Sequence, residues 1–308
     1  MEFDSLTDLV QHCLWHGQIG SCPISTPCPT TTTEVPQPHA EIWEISRDNI
    51  KLLKKIGQGN FGDVFKALWK DSVDVAVKTA KKQSMPDDQF LREADTMKNL
   101  QHRNIVQLLG VCTKEDPIYI ITEFVCNGSL EHYLRHGEGK GLELAHLIDM
   151  GTQVAAGMEY LEDNNVIHRD LRSANVLVGE RNLCKVADFG MARLESIYIA
   201  TTSRAMPVRW TAIEAIDTQE FTSQSDVWSF GILMTEILTK GRLPYAGWDN
   251  PTVIAQVRRG IRMAPDEDWP EPLYEIIKRC WDREPQRRPT FKYLSRIFSG
   301  YFADSEYC

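Results

Sequence analysis

No apolar run in this 308-residue chain approaches the ~18–20 residues that a membrane-spanning helix needs. A basic excess is missing too. Thirty-four Lys and Arg stand against 43 Asp and Glu, a net charge of −9, and the cations are dispersed. The electrostatic footprint of a nucleic-acid binder is therefore absent, and no nucleic-acid partner is expected. The eight cysteines include no C-x-x-C pair, so free thiols in a reducing, cytoplasmic setting are the expectation. The opening, MEFDSLTDLV, lacks the basic start of a signal peptide, and position 2 is Glu2 rather than the glycine of a myristoylation motif. No internal repeat is visible. What is present is an ordinary globular composition, 42% hydrophobic and 25% charged, which excludes collagen-like, coiled-coil and wholly disordered classes.

Composition changes along the chain. Leu6, Leu9, Val10, Cys13 and Leu14 recur at helical spacing within residues 1–22. PISTPCPTTTTEVPQP follows, a Pro/Thr-rich stretch that reads as an extended linker. The globular part opens with the strand-like segments NIKLLKKI, DVFKALW and VDVAVKT. SMPDDQFLREADTMKNL is predicted helical, with Ser84 and Asp87 at capping-box spacing. Two more strands, IVQLLGV and IYIITEFV, precede a mainly helical remainder. Within it, residues 144–163 form one helix, and SQSDVWSFGILMTEILT another that is apolar almost all round and so must be buried. Strands first and helices later predict an α+β fold with a small antiparallel sheet lobe, carrying one helix, and a larger helical lobe. A cleft between lobes is where a ligand is expected.

Three features carry chemistry. Gly57-Gln58-Gly59-Asn60-Phe61-Gly62-Asp63-Val64 is glycine-rich, and it leads into a strand rather than a helix. That context favours a hairpin covering a nucleotide over a dinucleotide fingerprint or P-loop. Lys78 sits inside the apolar run VDVAVKT, where its charge needs an anion unless the side chain snorkels from an edge strand. Glu93, on the next helix, is the natural partner. Finally, Asp170 and Asn175 lie in a polar loop between apolar stretches, and Asp188 follows within Ala187-Asp188-Phe189-Gly190. Together they offer a base and two oxygen ligands for a hard cation such as Mg²⁺, the parts phosphoryl transfer requires.

The glycine loop, VAVK, HRDLRSAN and DFG, in this order, resemble a protein kinase. The resemblance implies ATP as cofactor with Mg²⁺, or alternatively Mn²⁺, and catalytic roles for Asp170, Lys78, Glu93, Arg172 and Asn175. It makes Asn175 and Asp188 the metal ligands. The ATP site would comprise Ile56 through Val64, Lys78, Thr122, Glu123 and Val125, with Ile121-Thr122-Glu123-Phe124 as the hinge and Thr122 as gatekeeper. Arg172 and Ala174 between the Asp and the Asn, and the segment Met206-Pro207-Val208-Arg209-Trp210, are similar to tyrosine-specific members. Protein substrates bearing tyrosine are thus implied. HRDLRSANVLVG, CKVADFG, SDVWSFGILMTEILTKGRLPY, RPTFKYL and the entry IWEIS resemble the Src family of non-receptor tyrosine kinases.

On that resemblance, residues 1–28 are a C-terminal remnant of a Src-homology-2 domain, 29–48 a linker, 49–302 the kinase domain and 303–308 a short tail. A monomer is expected, with any membrane association carried by segments upstream of residue 1. Tyr198, the one tyrosine between Asp188 and Trp210, matches the family's autophosphorylation site, and Arg169 is its expected phosphate partner. Tyr307 near the end is either a regulatory tyrosine or part of a frayed terminus. Ile213 stands where kinases usually carry Pro in A-P-E; Glu214 is expected to pair with Arg288. Asp226 is either a helix cap or, by resemblance, a buried brace for the catalytic loop. A zinc cluster of His12, Cys13, His16, Cys22 and Cys28 matches no standard spacing, and His132 with His136 reads as a solvated helix face.

Overall fold

The computed structural model describes residues 18–19, 22–23, 43–58, 62–80, 87–195, 197–199 and 206–301. The helical pattern at Leu6–Leu14, most of the possible zinc cluster, residues 59–61, Ser84 and Tyr307 lie outside these. Residues 1–37 and 38–308 are two separate compact units. In the first, β1 (Gln18–Ile19) pairs antiparallel with β2 (Cys22–Pro23).

The second unit begins with a five-stranded antiparallel sheet in the order β3-β4-β5-β7-β6. Its strands are β3 (Ile50–Gln58), β4 (Asp63–Trp69), β5 (Val73–Thr79), β6 (Leu108–Cys112) and β7 (Tyr119–Glu123). Period-two alternation divides the side chains between two cores. Val75, Val77 and Ile121 pack with Ile45, Trp69 and Tyr119 on the outer face. Ile120, Leu108 and Val111 face the other way and join the core of the helical lobe. Within the expected linker, Trp43–Ile45 already run beside β6: Ile45 N–H donates to Val111 O and Val111 N–H to Trp43 O, each at 2.8 Å. This covers the sheet edge.

Helix α1 (Asp87–Met97) connects β5 to β6 along the chain. The helical lobe contains α2 (Leu130–His136), α3 (Leu144–Asp163), α4 (Ile213–Thr218), α5 (Ser223–Leu238), α6 (Asn250–Arg258), α7 (Glu271–Cys280) and α8 (Phe291–Ser299). Every residue of α5 from Ser225 to Leu238 is buried, as its all-round apolar pattern requires. Close packing there uses glycine: a Cβ on Gly231 would lie 2.5 Å from the Trp281 indole nitrogen. The start of α5 also decides between the two readings of Asp226. Thr222 and Ser225 form the capping box, which leaves the Asp226 carboxylate for another task. No helix among the described residues is long and apolar enough to cross a membrane.

Candidate active site

Lys78 follows Val75 and Val77 on β5 but points to the opposite face, together with Ala76, into a cavity of about 510 Å³ between sheet and helices. Its ammonium donates to Glu93 Oε2 at 2.6 Å, to Glu93 Oε1 at 2.9 Å and to Asp188 Oδ1 at 3.1 Å. Burial disfavours this cation, but the two carboxylates outweigh it and hold the ammonium well above its ordinary range. Burial would likewise raise Asp188, and Lys78 reverses that, keeping the carboxyl below the usual range. Lys78 is thus an ion-paired cation and not a snorkelling one.

The loop after β8 (Val166–Ile167) is held from beneath by α5. Asp226 Oδ2 accepts from His168 N–H at 2.7 Å and Oδ1 from Arg169 N–H at 2.9 Å. This clamp fixes Arg169 at φ 70, a left-handed conformation that costs a non-glycine residue roughly 1 kcal/mol. Asp188 adopts φ 61 in the same way. His168 is fully buried, and burial lowers its pKa, so the ring is neutral. Its Nδ1 accepts from Asp170 N–H at 3.3 Å, which leaves Nε2–H to donate to Ala187 O at 3.0 Å. One histidine therefore ties the loop to the Ala187-Asp188 segment. Asn175 Nδ2 donates to Asp170 O at 2.7 Å.

Asp170 is 4% exposed, and burial pushes its carboxyl up to about 6 against the favourable charge of Arg172 and the Asn175 hydrogen bond. Arg172 Nε stands 3.2 Å from Asp170 Oδ1, an ion pair lying off the line of a hydrogen bond. A buried carboxylate oxygen is thereby left able to take a proton.

Of the residues named from sequence, Ile56, Gly57, Gln58, Val64, Lys78, Glu93, Thr122, Val125, Asn175 and Asp188 line the cavity. Gly62, Asp63, Glu123, Asp170 and Arg172 do not. Asp63 pairs with Lys55 at 2.8 Å across the hairpin. Glu123 Oε1 accepts from Gln107 N–H and from Lys185 Nζ, both at 2.8 Å, and its own N–H donates to Gln107 O at 3.0 Å, which engages the residue outside the cavity lining. Gly62 is glycine for packing reasons: a Cβ would fall 1.5 Å from Thr79 O. Ala76, Val106, Leu177 and Ala187 supply apolar walls that the sequence reading missed. Ala76 was detectable, being two residues before Lys78 and hence on its face.

Beyond Asp188, Tyr198 lies on β9 (Ile197–Ile199), paired with β10 (Glu220–Thr222). The Arg169 guanidinium carbon sits 4.2 Å from the Tyr198 ring centroid and 4.3 Å from that of Phe221; Arg193 approaches Tyr198 to 5.0 Å. Arg209 donates to the carbonyls of Pro244, Tyr245 and Trp248, which anchors segment 206–210. Glu214 and Arg288 form the expected two-pronged pair, at 2.6 and 2.8 Å. His132 and His136 are exposed on α2, their rings 5.4 Å apart.

A two-lobed α+β fold whose crevice gathers a lysine–glutamate pair and an Asn/Asp oxygen pair, with a buried aspartate hydrogen-bonded to that asparagine, is that of a phosphotransferase. Residues 50–298 match the family model described as protein tyrosine and serine/threonine kinase, and the chain belongs to that family. Its reaction is phosphoryl transfer to protein substrates, with use of ATP and a divalent metal.

Proposed function

We propose that the chain is a tyrosine-specific kinase of the Src type, moving the ATP γ-phosphate to tyrosine hydroxyls. The observation that carries this reading is the placement of Arg172. Its Nε is 3.2 Å from Asp170, and its guanidinium carbon is 5.5 Å from the Trp210 ring centroid. A tyrosine reaches further than serine, so its backbone must be held further from the base. A platform built on Pro207–Trp210, clamped by Arg209 to the carbonyls of residues 244–248, suits that offset.

In this reading Lys78, paired with Glu93, holds the α- and β-phosphates. Asp170 accepts the tyrosine hydroxyl proton as the oxygen bonds to the γ-phosphorus and the bond to the bridging oxygen of ADP breaks. Asp188 and Asn175 both line the cavity and offer hard oxygen donors, and Asn175 spends its nitrogen on Asp170 O. That donor set fits Mg²⁺ or Mn²⁺. The chemistry such a cation supplies is neutralisation of phosphate charge. Most of the rate enhancement then comes from positioning and preorganised charge.

Tyr198 is the autophosphorylation site in this proposal. Arg169 Nε is buried without a hydrogen-bond partner among the described residues, and with Arg193 it supplies two guanidinium groups for a phosphate bearing about −2 charge. Residues 1–28 would be the end of a Src-homology-2 domain, joined by a linker to the kinase domain. The deciding experiment offers labelled ATP with matched peptides that differ only in a tyrosine or serine acceptor. Label on the tyrosine peptide is expected; label confined to serine would refute the specificity.

A further inference from the structure

Helix α5 encloses a carboxylate that the reaction described above does not use. Glu236 is 2% exposed, and its oxygens take three donors. Ser173 N–H donates to Oε2 at 3.0 Å, Ser173 Oγ to Oε1 at 2.6 Å, and the Trp210 indole Nε1 to Oε2 at 2.8 Å. A buried charge with this many donors is no aid to stability as such, because apolar side chains of similar volume commonly do as well or better. What it does provide is fixed geometry for its donors.

Those donors come from two separate segments of the site. Ser173 lies between Arg172 and Ala174 in the catalytic loop, and Trp210 ends the 206–210 platform. Trp210 is held twice by the same helix, since Ser229 Oγ also donates to its carbonyl at 2.8 Å. Ser229 and Glu236 are seven residues apart, about two helical turns, and so share one face. The Trp210 ring supports Arg172, which in turn pairs with Asp170. Neither Ser173 nor Trp210 lines the nucleotide cavity.

We propose that Glu236 is a positioning residue that sets the spacing between Asp170 and the acceptor-binding segment 206–210. It does so by holding Ser173 and Trp210 on one carboxylate, and it acts through Trp210 and Arg172 without touching nucleotide or acceptor. The inference rests on the reading of Asp170 as proton acceptor and of 206–210 as the acceptor platform.

The test is steady-state kinetics of the full chain, varying ATP and peptide separately, for wild type, Glu236→Gln, Trp210→Phe and the double variant. Glutamine turns one acceptor oxygen into a donor facing donors, whereas Trp210→Phe removes the indole N–H and keeps a ring beneath Arg172. Glu236→Gln is expected to lower kcat/KM for the peptide by at least about tenfold, with KM for ATP kept within about twofold. Trp210→Phe should show the same split to a smaller degree. The double variant should be little worse than Glu236→Gln, because both remove the same contact.

The proposal is overturned if ATP and peptide constants deteriorate together, or if kcat merely follows the active fraction while both KM values hold. It is also overturned if a folded Glu236→Gln protein has wild-type kinetics. Should Glu236→Gln fail to fold, the same split in Trp210→Phe decides. A matched serine peptide is included throughout. If wild type prefers serine, the tyrosine reading fails while the split still reports on Glu236.

Discussion

Lys78 meets Glu93 and Asp188 across three separately anchored elements, whereas the backbone of His168, Arg169 and Ser173 is hydrogen-bonded to side chains of one helix, α5. The first arrangement depends on where α1 lies against the sheet. The second is part of the core. Asp226 and Glu236 are 1% and 2% exposed, and their acceptors satisfy amide groups that water cannot reach. The difference teaches what each half of the site rests on: the cavity-lining pair on the placement of separate elements, and the loop carrying Asp170 on one buried helix.

The severest way to break this contrast is Asp226→Ala. It orphans two buried N–H groups and releases the left-handed Arg169, which should cost about 2–4 kcal/mol of stability. Thermal unfolding should show a lowered midpoint, with activity lost alongside. Glu93→Gln should do the reverse. It weakens the grip on Lys78, so kcat/KM for ATP should fall by about 10–100-fold, while the unfolding midpoint moves much less than in the Asp226 variant.

A milder test uses pH. A proton acceptor works only when ionised, so raising its pKa moves the acid limb of activity upward. With Asp170 at about 6, kcat/KM for the peptide should fall about tenfold per unit below that pH. Removing the favourable charge with Arg172→Ala should push the limb higher still, because Arg172 lowers the Asp170 pKa. A limb that stays fixed in that variant would separate Arg172 from the base. The smallest effect is expected for Ile213→Pro. Ile213 opens α4, where proline is tolerated and stiffens the unfolded chain. Against this stands the loss of a side chain 9% exposed, so the net change in a denaturant melt should stay within about 1 kcal/mol.

Much of this was legible in the sequence because the site breaks local rules. A lysine inside VDVAVKT and a polar loop between apolar runs are expensive unless charges or hydrogen bonds compensate. The strand segments and the fully buried α5 followed from periodicity. Other features were hidden for physical reasons. Asp63 and Glu123 sit within the right motifs, but sequence does not say whether backbone or side chain faces the cavity. Leu177 and Val106 are apolar walls indistinguishable from core positions. Asp226 could also be read as a cap until the tertiary fold gave capping to Thr222 and Ser225. Glu236 left one faint trace, a single charge among the apolar residues at the end of α5.

The most direct test of the whole account pairs ATP binding with phosphate transfer in Asp170→Asn. The substitution keeps size and nearly all of the loop's hydrogen bonds but abolishes the proton acceptor. The expected result is Mg·ATP binding close to wild type with transfer to peptide slowed by about 10²–10⁴-fold. Wild-type transfer by that variant, at equal ATP occupancy, would contradict the account.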